Sequence, residues 1–369
     1  VLLQAQHTLG DVAAQADTLR TYATRLIEDL GVEPSARVRA AAAGTGRPPG
    51  VERRVAPNAP ASPPAPADGF VGRGRELDEL CALLANPDCR LLTITGPGGI
   101  GKSRLAKEAI RRLGNRYPDG VAWIALDDLS GVAEVGSRIA AELRLDVGAR
   151  QDPADVAARH LAGRRTLMVL DNSEHLPDLA ALIARLLAAA PGLQLLSTSR
   201  ARVGVPQEWL LPLYGLALPA ADAPIADIVA AGAAQLFIAH ARATDPRFDV
   251  AAHAAHVAAL VRAVGGVPLA LLLAASWVRL IPMAELAQEV ALSLDVLERA
   301  DDGDERPEHR SVRATFEQSW RLLAPAEQRA LAALSVMAGS FSRSAARDVA
   351  NAPLPLLAAL VDKSLLQVD

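Results

Sequence analysis

The sequence contains few aromatic residues and almost no cysteine. Phe, Trp and Tyr make up 3% of the 369 residues, and the cysteines are Cys81 and Cys89. Much of the 51% hydrophobic content is alanine and leucine, which favours helices packed through small side chains over an all-β fold. The two cysteines are expected to be ordinary reduced thiols of a cytoplasmic protein.

The sequence also lacks a strong net charge and a long apolar run. Its formal net charge is -4, so no overall positive field indicates nucleic-acid binding. The most apolar stretch, LALLLAASWV, is broken by Arg279 and is too short to span a bilayer. No secretory signal opens the sequence, so we expect a cytoplasmic protein with no membrane partner. Val1 is not a start methionine, and we therefore expect a fragment of a longer chain.

Changes in composition divide the chain into five predicted segments. Residues 1–42 carry apolar side chains at helical spacing and form a short helical remnant. Residues 43–68 contain seven prolines and no aromatic residue, which is typical of an extended linker. Residues 69–213 alternate strand and helix patterns, and residues 214–300 are helical throughout. Residues 301–369 begin with the acidic run DDGDE and continue with short helices and a predicted final strand, SLLQVD.

Near-continuous apolar runs predict five strands in the third segment. Such runs are typical of strands that are covered on both faces, and helical patterns fill the gaps between them. The order predicts a parallel sheet with crossover helices, so the fold class is multidomain α/β plus α. The runs are LLTIT (91–95), VAWIAL (121–126), TLMVLD (166–171), LQLLSTS (193–199) and, more weakly, EWLLPL (208–213).

A phosphate-binding loop follows the first of these strands. Gly96, Gly101, Lys102 and Ser103 fit the pattern G-x-x-x-x-G-K-[ST] between a strand and a helix. The glycines let successive N–H groups point at an anion, and the helix adds its positive end. Lys102 is expected to reach the β- and γ-phosphates of ATP or ADP, and Ser103 to bind Mg²⁺. The predicted cofactor-binding residues here are Gly96, Pro97, Gly98, Gly99, Ile100, Gly101, Lys102, Ser103 and Arg104.

Asp171 ends the strand in RRTLMVLDNSEHL, where a carboxylate can hold Mg²⁺. Without the upstream phosphate loop, the sequence would equally indicate that Asp171 only begins a turn. The next residue is Asn172, where many nucleotide hydrolases carry a second acid, and an amide is a poor base. Glu174 lies near enough in sequence to substitute for that acid.

Arg200 follows the next strand, in LQLLSTSR. Parallel strands end at the same side of a sheet, so its guanidinium is expected near the ligand, where it could contact the γ-phosphate. The alternative is a surface arginine. We name Lys102, Asp171 and Arg200 as candidate catalytic residues, and Ser103 and Asp171 as candidate Mg²⁺ ligands.

The ordered set FVGRGRELDEL, GPGGIGKSRLA, LMVLDNSEHL, LLSTSR and GGVPLALLLAA resembles STAND-type signalling ATPases. These are relatives of the NB-ARC ATPases of plant resistance and apoptotic proteins, and the resemblance covers about residues 69 to 369. It implies that Val71, Gly72 and Arg73 contact adenine and that Arg200 senses the γ-phosphate. It also implies that Pro268, in a helix–helix turn, packs near the base and ribose of bound ADP.

Two flanking segments resemble further domains of such proteins. Residues 311–369 are similar to the family's winged-helix domain, which closes over ADP. Their six Lys/Arg and five Asp/Glu are too balanced for a DNA-binding face, so we favour the nucleotide-reporting role. TLRTYATRLIEDLGVEPSARVRA resembles the end of the bacterial transcriptional activator domain of SARP-like regulators, which places a DNA-binding domain upstream of Val1.

The resemblance implies an ATP/ADP-binding switch that regulates a bacterial transcriptional activator. The switch would be closed with ADP, open with ATP and Mg²⁺, and reset by slow hydrolysis. Expected partners are the nucleotide, other copies of the chain on activation, DNA through an upstream domain, and a signal bound by a C-terminal sensor. Two other readings stay open at this point: a P-loop metabolic enzyme such as a small-molecule kinase, and an AAA+-type motor.

Overall fold

The computed structural model describes residues 70–176, 178–298, 311–337 and 339–368, which belong to one compact unit. The predicted helical remnant 1–42, the linker 43–68 and the run DDGDE lie outside the described residues. The boundaries of the five segments therefore remain predictions. Within the described ranges, none of the helices is both long and apolar enough to cross a membrane.

A five-stranded parallel sheet forms the first part of the described chain. Its strand order is β2-β3-β4-β1-β5, and each neighbouring pair is parallel. The predicted strands are confirmed, and the observed ends differ by no more than one residue. The strands are β1 (Leu91–Thr95), β2 (Val121–Ala125), β3 (Leu167–Asp171), β4 (Gln194–Ser199) and β5 (Glu208–Pro212).

Helices cover both faces of this sheet. Successive strand residues point to opposite faces, so Leu91 packs in one apolar cluster while Leu92 and Ile94 pack in another. The surrounding helices supply the rest of both clusters, which explains why the strands read as continuous apolar runs. These helices are α1 (Gly74–Ala85), α2 (Lys102–Leu113), α3 (Val132–Glu142), α4 (Pro153–Leu161) and α5 (Leu179–Ala189).

A helical region with its own core follows the sheet. Phe237 and Leu271 are fully buried at its centre, among alanines that let the helices approach closely. Asp249 caps one helix by accepting a hydrogen bond from the Ala251 N–H, and Pro268 begins another. The helices are α6 (Ile225–Ala230), α7 (Gly232–Thr244), α8 (Val250–Ala263), α9 (Pro268–Ser276) and α10 (Met283–Leu292).

The last described region consists of four helices around a small apolar cluster. They are α11 (Val312–Arg321), α12 (Pro325–Leu334), α13 (Arg343–Ala350) and α14 (Leu354–Asp362). The predicted final strand is not formed by residues 364–368, because no strand lies beside them among the described residues. The chain turns instead, Ser364 has a φ of 56°, and its hydroxyl donates to the Arg200 carbonyl at 2.8 Å. The winged-helix assignment remains a prediction.

Candidate nucleotide-binding site

The loop between β1 and α2 has the backbone shape that an anion requires. Gly99 and Gly101 have φ values of 73° and 97°, which glycine adopts without strain. Ile100 is buried in the core beneath the loop and anchors it. Among the described residues, no acceptor takes a hydrogen bond from the backbone N–H groups of residues 98–103. With the positive end of α2, these donors fit a di- or triphosphate.

Lys102 lies in the first turn of α2 and is buried beneath the loop. Its Nζ donates to the carbonyls of Gly96 at 2.8 Å and Pro97 at 3.0 Å. The pKa of Lys102 is lowered to about 8, chiefly by burial; Glu174 and Asp171 oppose this shift, and Arg200 contributes to it. The ammonium therefore gains charge partners if phosphates bind in the loop. Arg104 is half-buried two residues further along.

Ser103 and Asp171 are brought together as predicted. The Ser103 hydroxyl donates to Asp171 Oδ1 at 2.6 Å, and the Thr198 hydroxyl donates to the same oxygen at 2.5 Å. Sequence reasoning missed Thr198, although it pairs with Asp171 in the register of β3 and β4. These hydroxyl and carboxylate oxygens are the hard ligands that Mg²⁺ prefers. When bound, Mg²⁺ would neutralise charge on the phosphates.

Arg200 is buried at the end of β4 and is not a surface arginine. Its Nε donates to Glu174 Oε1 at 2.9 Å, which forms a buried ion pair. The other nitrogens donate to residues of α11: Nη1 to the Thr315 carbonyl at 2.8 Å and to the Ser319 hydroxyl, and Nη2 to Gln318 Oε1. Sequence reasoning missed these partners on α11, because they lie more than 100 positions from Arg200.

Two helices from the later regions cover the phosphate loop. The Leu269 N–H at the start of α9 donates to the Gly99 carbonyl at 3.1 Å. A Cβ added at Gly98 would collide with Thr315 of α11, so only glycine allows this approach. Pro268 lies on the Gly101 side of the same contact, and its packing against the nucleotide stays a prediction.

Residues 71–73 lie beside the loop. Arg73 is buried, pairs with Glu76 at 2.7 Å, and donates to the carbonyls of Ile100 at 3.2 Å and Tyr214 at 2.5 Å. Gly72 packs against the backbone of Gly232, and Val71 is half-buried. Arg73 thus ties this segment to the loop, and the role of residues 71–73 in contacting adenine stays a prediction.

Part of this site, including the phosphate loop and Asp171, lies in a segment that matches a known family model. Residues 69–196 match the model of the AAA ATPase domain. A putative HTH-type transcriptional regulator of Mycobacterium tuberculosis is 35% identical over 78% of this chain and 32% of its own length. An uncharacterized protein of the same species is 32% identical over 81% of this chain and 75% of its own length. The regulatory protein AfsR of Streptomyces griseus is 31% identical over 96% of this chain and 37% of its own length.

The chain spans about a third of the length of the two relatives that are named as regulators. It spans most of the uncharacterized one.

Proposed function

We propose that this chain, which belongs to a family of proteins with an AAA-type P-loop ATPase domain, works as an ATP/ADP switch. In this proposal ADP holds the sheet, α9 and α11 together. Binding of ATP with Mg²⁺ favours a second arrangement in which α11 leaves the loop. Slow hydrolysis returns the protein to the closed arrangement.

One observation carries this proposal: the guanidinium of Arg200 is bound by α11 beside the phosphate loop. The family resemblance assigns Arg200 to the γ-phosphate. A γ-phosphate and α11 would therefore compete for the same guanidinium, whereas ADP has no such group. This competition is the differential interaction that a ligand needs to shift a conformational equilibrium.

The remaining site residues take consistent roles. Lys102 and the loop N–H groups would hold the phosphates, and Ser103 and Asp171 would hold Mg²⁺. Residues 71–73 and Pro268 would flank the base and ribose. Asn172 stands where an acid is common in hydrolases, which supports slow rather than rapid turnover.

In this proposal, DNA is bound by other domains of a longer protein. The regulator relatives suggest a DNA-binding domain outside this chain, and a sensor domain would receive the signal. Release of α11 would then allow self-association or free the DNA-binding region.

The nucleotide that co-purifies with the chain tests this function. We expect about one ADP per chain, released by acid and identified by chromatography, because α9 and α11 cover the loop. With added ATP and Mg²⁺ we expect far less than one turnover per second. Nucleotide-free protein that hydrolyses many ATP molecules per second without a partner would contradict the switch.

The match to the AAA ATPase model keeps an AAA+-type motor as a second candidate. A motor requires an arginine offered to the site of a neighbour in a closed ring. Light scattering at several protein concentrations, with ATP and Mg²⁺, separates the two. A ring whose specific activity rises with assembly indicates a motor, and monomeric ADP-bound protein indicates the switch.

Nucleotide affinity should depend on pH through Lys102. Its pKa is about 8 without ligand, and bound phosphates would raise it, so binding above pH 8 requires uptake of a proton. Below pH 8 the ammonium is already charged, and affinity should not change for this reason. We expect ADP affinity at pH 9 to be about tenfold weaker than at pH 7.

Calorimetric titration in two buffers with different ionisation enthalpies measures the proton uptake directly. Circular dichroism at pH 9 checks that the protein stays folded. Equal affinity at both pH values, with no uptake at pH 9, would contradict this role of Lys102.

A further inference from the structure

A carboxylate near the phosphate loop has an unused hydrogen-bonding oxygen. The side chain of Glu174 is only 3% exposed, and its Oε1 accepts from Arg200 Nε at 2.9 Å. Its Oε2 is buried and has no hydrogen-bond partner among the described residues. A buried carboxylate oxygen without a donor costs free energy, so its persistence calls for a role.

Glu174 is connected to the phosphate loop through Arg200. Its carboxylate has the largest effect of any charged neighbour on the pKa of Lys102, ahead of Arg200 and Asp171. Its partner Arg200 lies against Gly98 of the loop. Glu174 is therefore held between the end of the sheet and the phosphate-binding backbone.

The other nearby polar groups already have hydrogen-bond partners at the atoms named below. Asn172 has an amide, and its backbone N–H is bound to the Thr198 carbonyl and hydroxyl. Asp171 Oδ1 already accepts from two hydroxyls. His175 Nε2 lies 2.9 Å from the Leu129 carbonyl, which turns that nitrogen away from the loop. Glu174 Oε2 is a buried carboxylate oxygen that no donor binds among the described residues.

We propose that Glu174 Oε2 is the base for ATP hydrolysis in this protein, an inference that rests on the proposed binding and cleavage of ATP. The oxygen of a water molecule bonds to the γ-phosphorus, and its proton passes to Glu174 Oε2. The bond from the γ-phosphorus to the bridging oxygen breaks, and ADP leaves with that electron pair. The proton then passes to solvent, which restores the carboxylate and leaves ADP and inorganic phosphate.

In the arrangement described, Arg200 is held by Glu174 Oε1 and by the Thr315 carbonyl of α11, so its guanidinium cannot contact a γ-phosphate at the same time. Hydrolysis gains speed when Arg200 moves from Glu174 toward a γ-phosphate. Arg200 thereby couples the base Glu174 to the binding of a γ-phosphate.

The Glu174→Gln substitution in the whole chain tests the inference. The protein is loaded with ATP and Mg²⁺, separated from free nucleotide, and the bound nucleotide is identified over time. We expect wild-type protein to convert bound ATP to ADP and the variant to retain ATP, with cleavage slowed by about 100-fold or more. ATP affinity should stay within a few-fold of wild type. The control is Glu79→Gln, the same change on the exposed side of α1, which should cleave ATP at the wild-type rate.

Glu174→Asp is a second variant that keeps the charge beside Arg200. We expect it to bind ATP and cleave it at least tenfold more slowly, because the carboxylate is withdrawn by one methylene. Cleavage at the wild-type rate by both variants would overturn the inference while ATP binding stands. Wild-type protein that binds ATP and never cleaves it would overturn it too. Wild-type protein that binds no ATP would overturn the proposed function itself.

Discussion

Lys102→Ala is expected to weaken ADP and ATP binding by at least about 100-fold while the fold survives. The ammonium sits under the loop, 2.8 Å from the Gly96 carbonyl, where it can donate to two phosphates. Each hydrogen bond from a charged donor contributes about 1.5–3 kcal/mol, so the loss of two is worth about 3 kcal/mol or more. Titration with a fluorescent nucleotide analogue measures this loss.

The free energy of unfolding of Lys102→Ala should change little or rise. The folded pKa of Lys102 is about 8 against 10.5 for the free side chain, so burial of the charge costs the fold about 3 kcal/mol at neutral pH. The unfolded chain holds this proton more tightly, and the cost disappears as pH rises from about 8 toward 10.5. Removing the ammonium removes that cost, which offsets the cavity and the two carbonyls left without a donor.

Lys107→Ala is the matched control on the same helix. Its Nζ lies 5.3 Å from the centre of the Trp123 ring and does not contact the loop. We expect a small loss of stability and unchanged nucleotide affinity. Wild-type affinity in Lys102→Ala, with both proteins folded, would refute the assignment of the phosphate loop.

The sheet and the loop were predictable because their signals are local. A strand covered on both faces is apolar over most of its length, and the predicted bounds of β1 match those observed. The start of α2 at Lys102 follows from the glycine-rich turn before it. Asp171 and Ser103 meet because parallel strands end at one edge, and that rule needs no long-range information.

The contacts by which α11 holds Arg200 were not predictable because they join residues that are distant in sequence. Gln318 and Ser319 lie 118 and 119 positions from Arg200. In the sequence alone, polar residues on a short helix indicate a solvent-exposed face. Only their packing against a buried guanidinium gives them a role. The predicted strand SLLQVD is not formed by residues 364–368 for a related reason: a short apolar run forms a strand only beside another strand. Such pairing depends on neighbours that the pattern does not contain.

The double variant Gln318→Ala with Ser319→Ala is expected to speed ADP release by about 100-fold. Both side chains accept hydrogen bonds from the Arg200 guanidinium, and their loss leaves the Thr315 carbonyl as its bond to α11. Two bonds to a charged group are worth about 3 kcal/mol or more together. If α11 closes the site, that free energy shifts the equilibrium between closed and open forms by about 100-fold. Displacement of a fluorescent ADP analogue by excess ADP measures the release rate.

The control is the double variant Glu317→Ala with Arg321→Ala on the same helix. These side chains are 51% and 79% exposed, lie 4.0 Å from each other and do not contact Arg200. Their removal should leave the release rate unchanged. An equal release rate in both double variants would mean that the Arg200 contact with α11 does not control access to the nucleotide.

The double variant Gln318→Ala, Ser319→Ala also tests whether the contact between Arg200 and α11 affects cleavage of ATP. Once α11 no longer holds Arg200, the guanidinium can leave Glu174 for a γ-phosphate, and cleavage of bound ATP should also become faster. Adding Glu174→Gln to the Gln318→Ala, Ser319→Ala protein should abolish that gain in cleavage and leave the fast ADP release intact. If the triple variant still cleaves ATP quickly, another base acts in the open form. If it loses fast release as well, Glu174 closes the site rather than activating water.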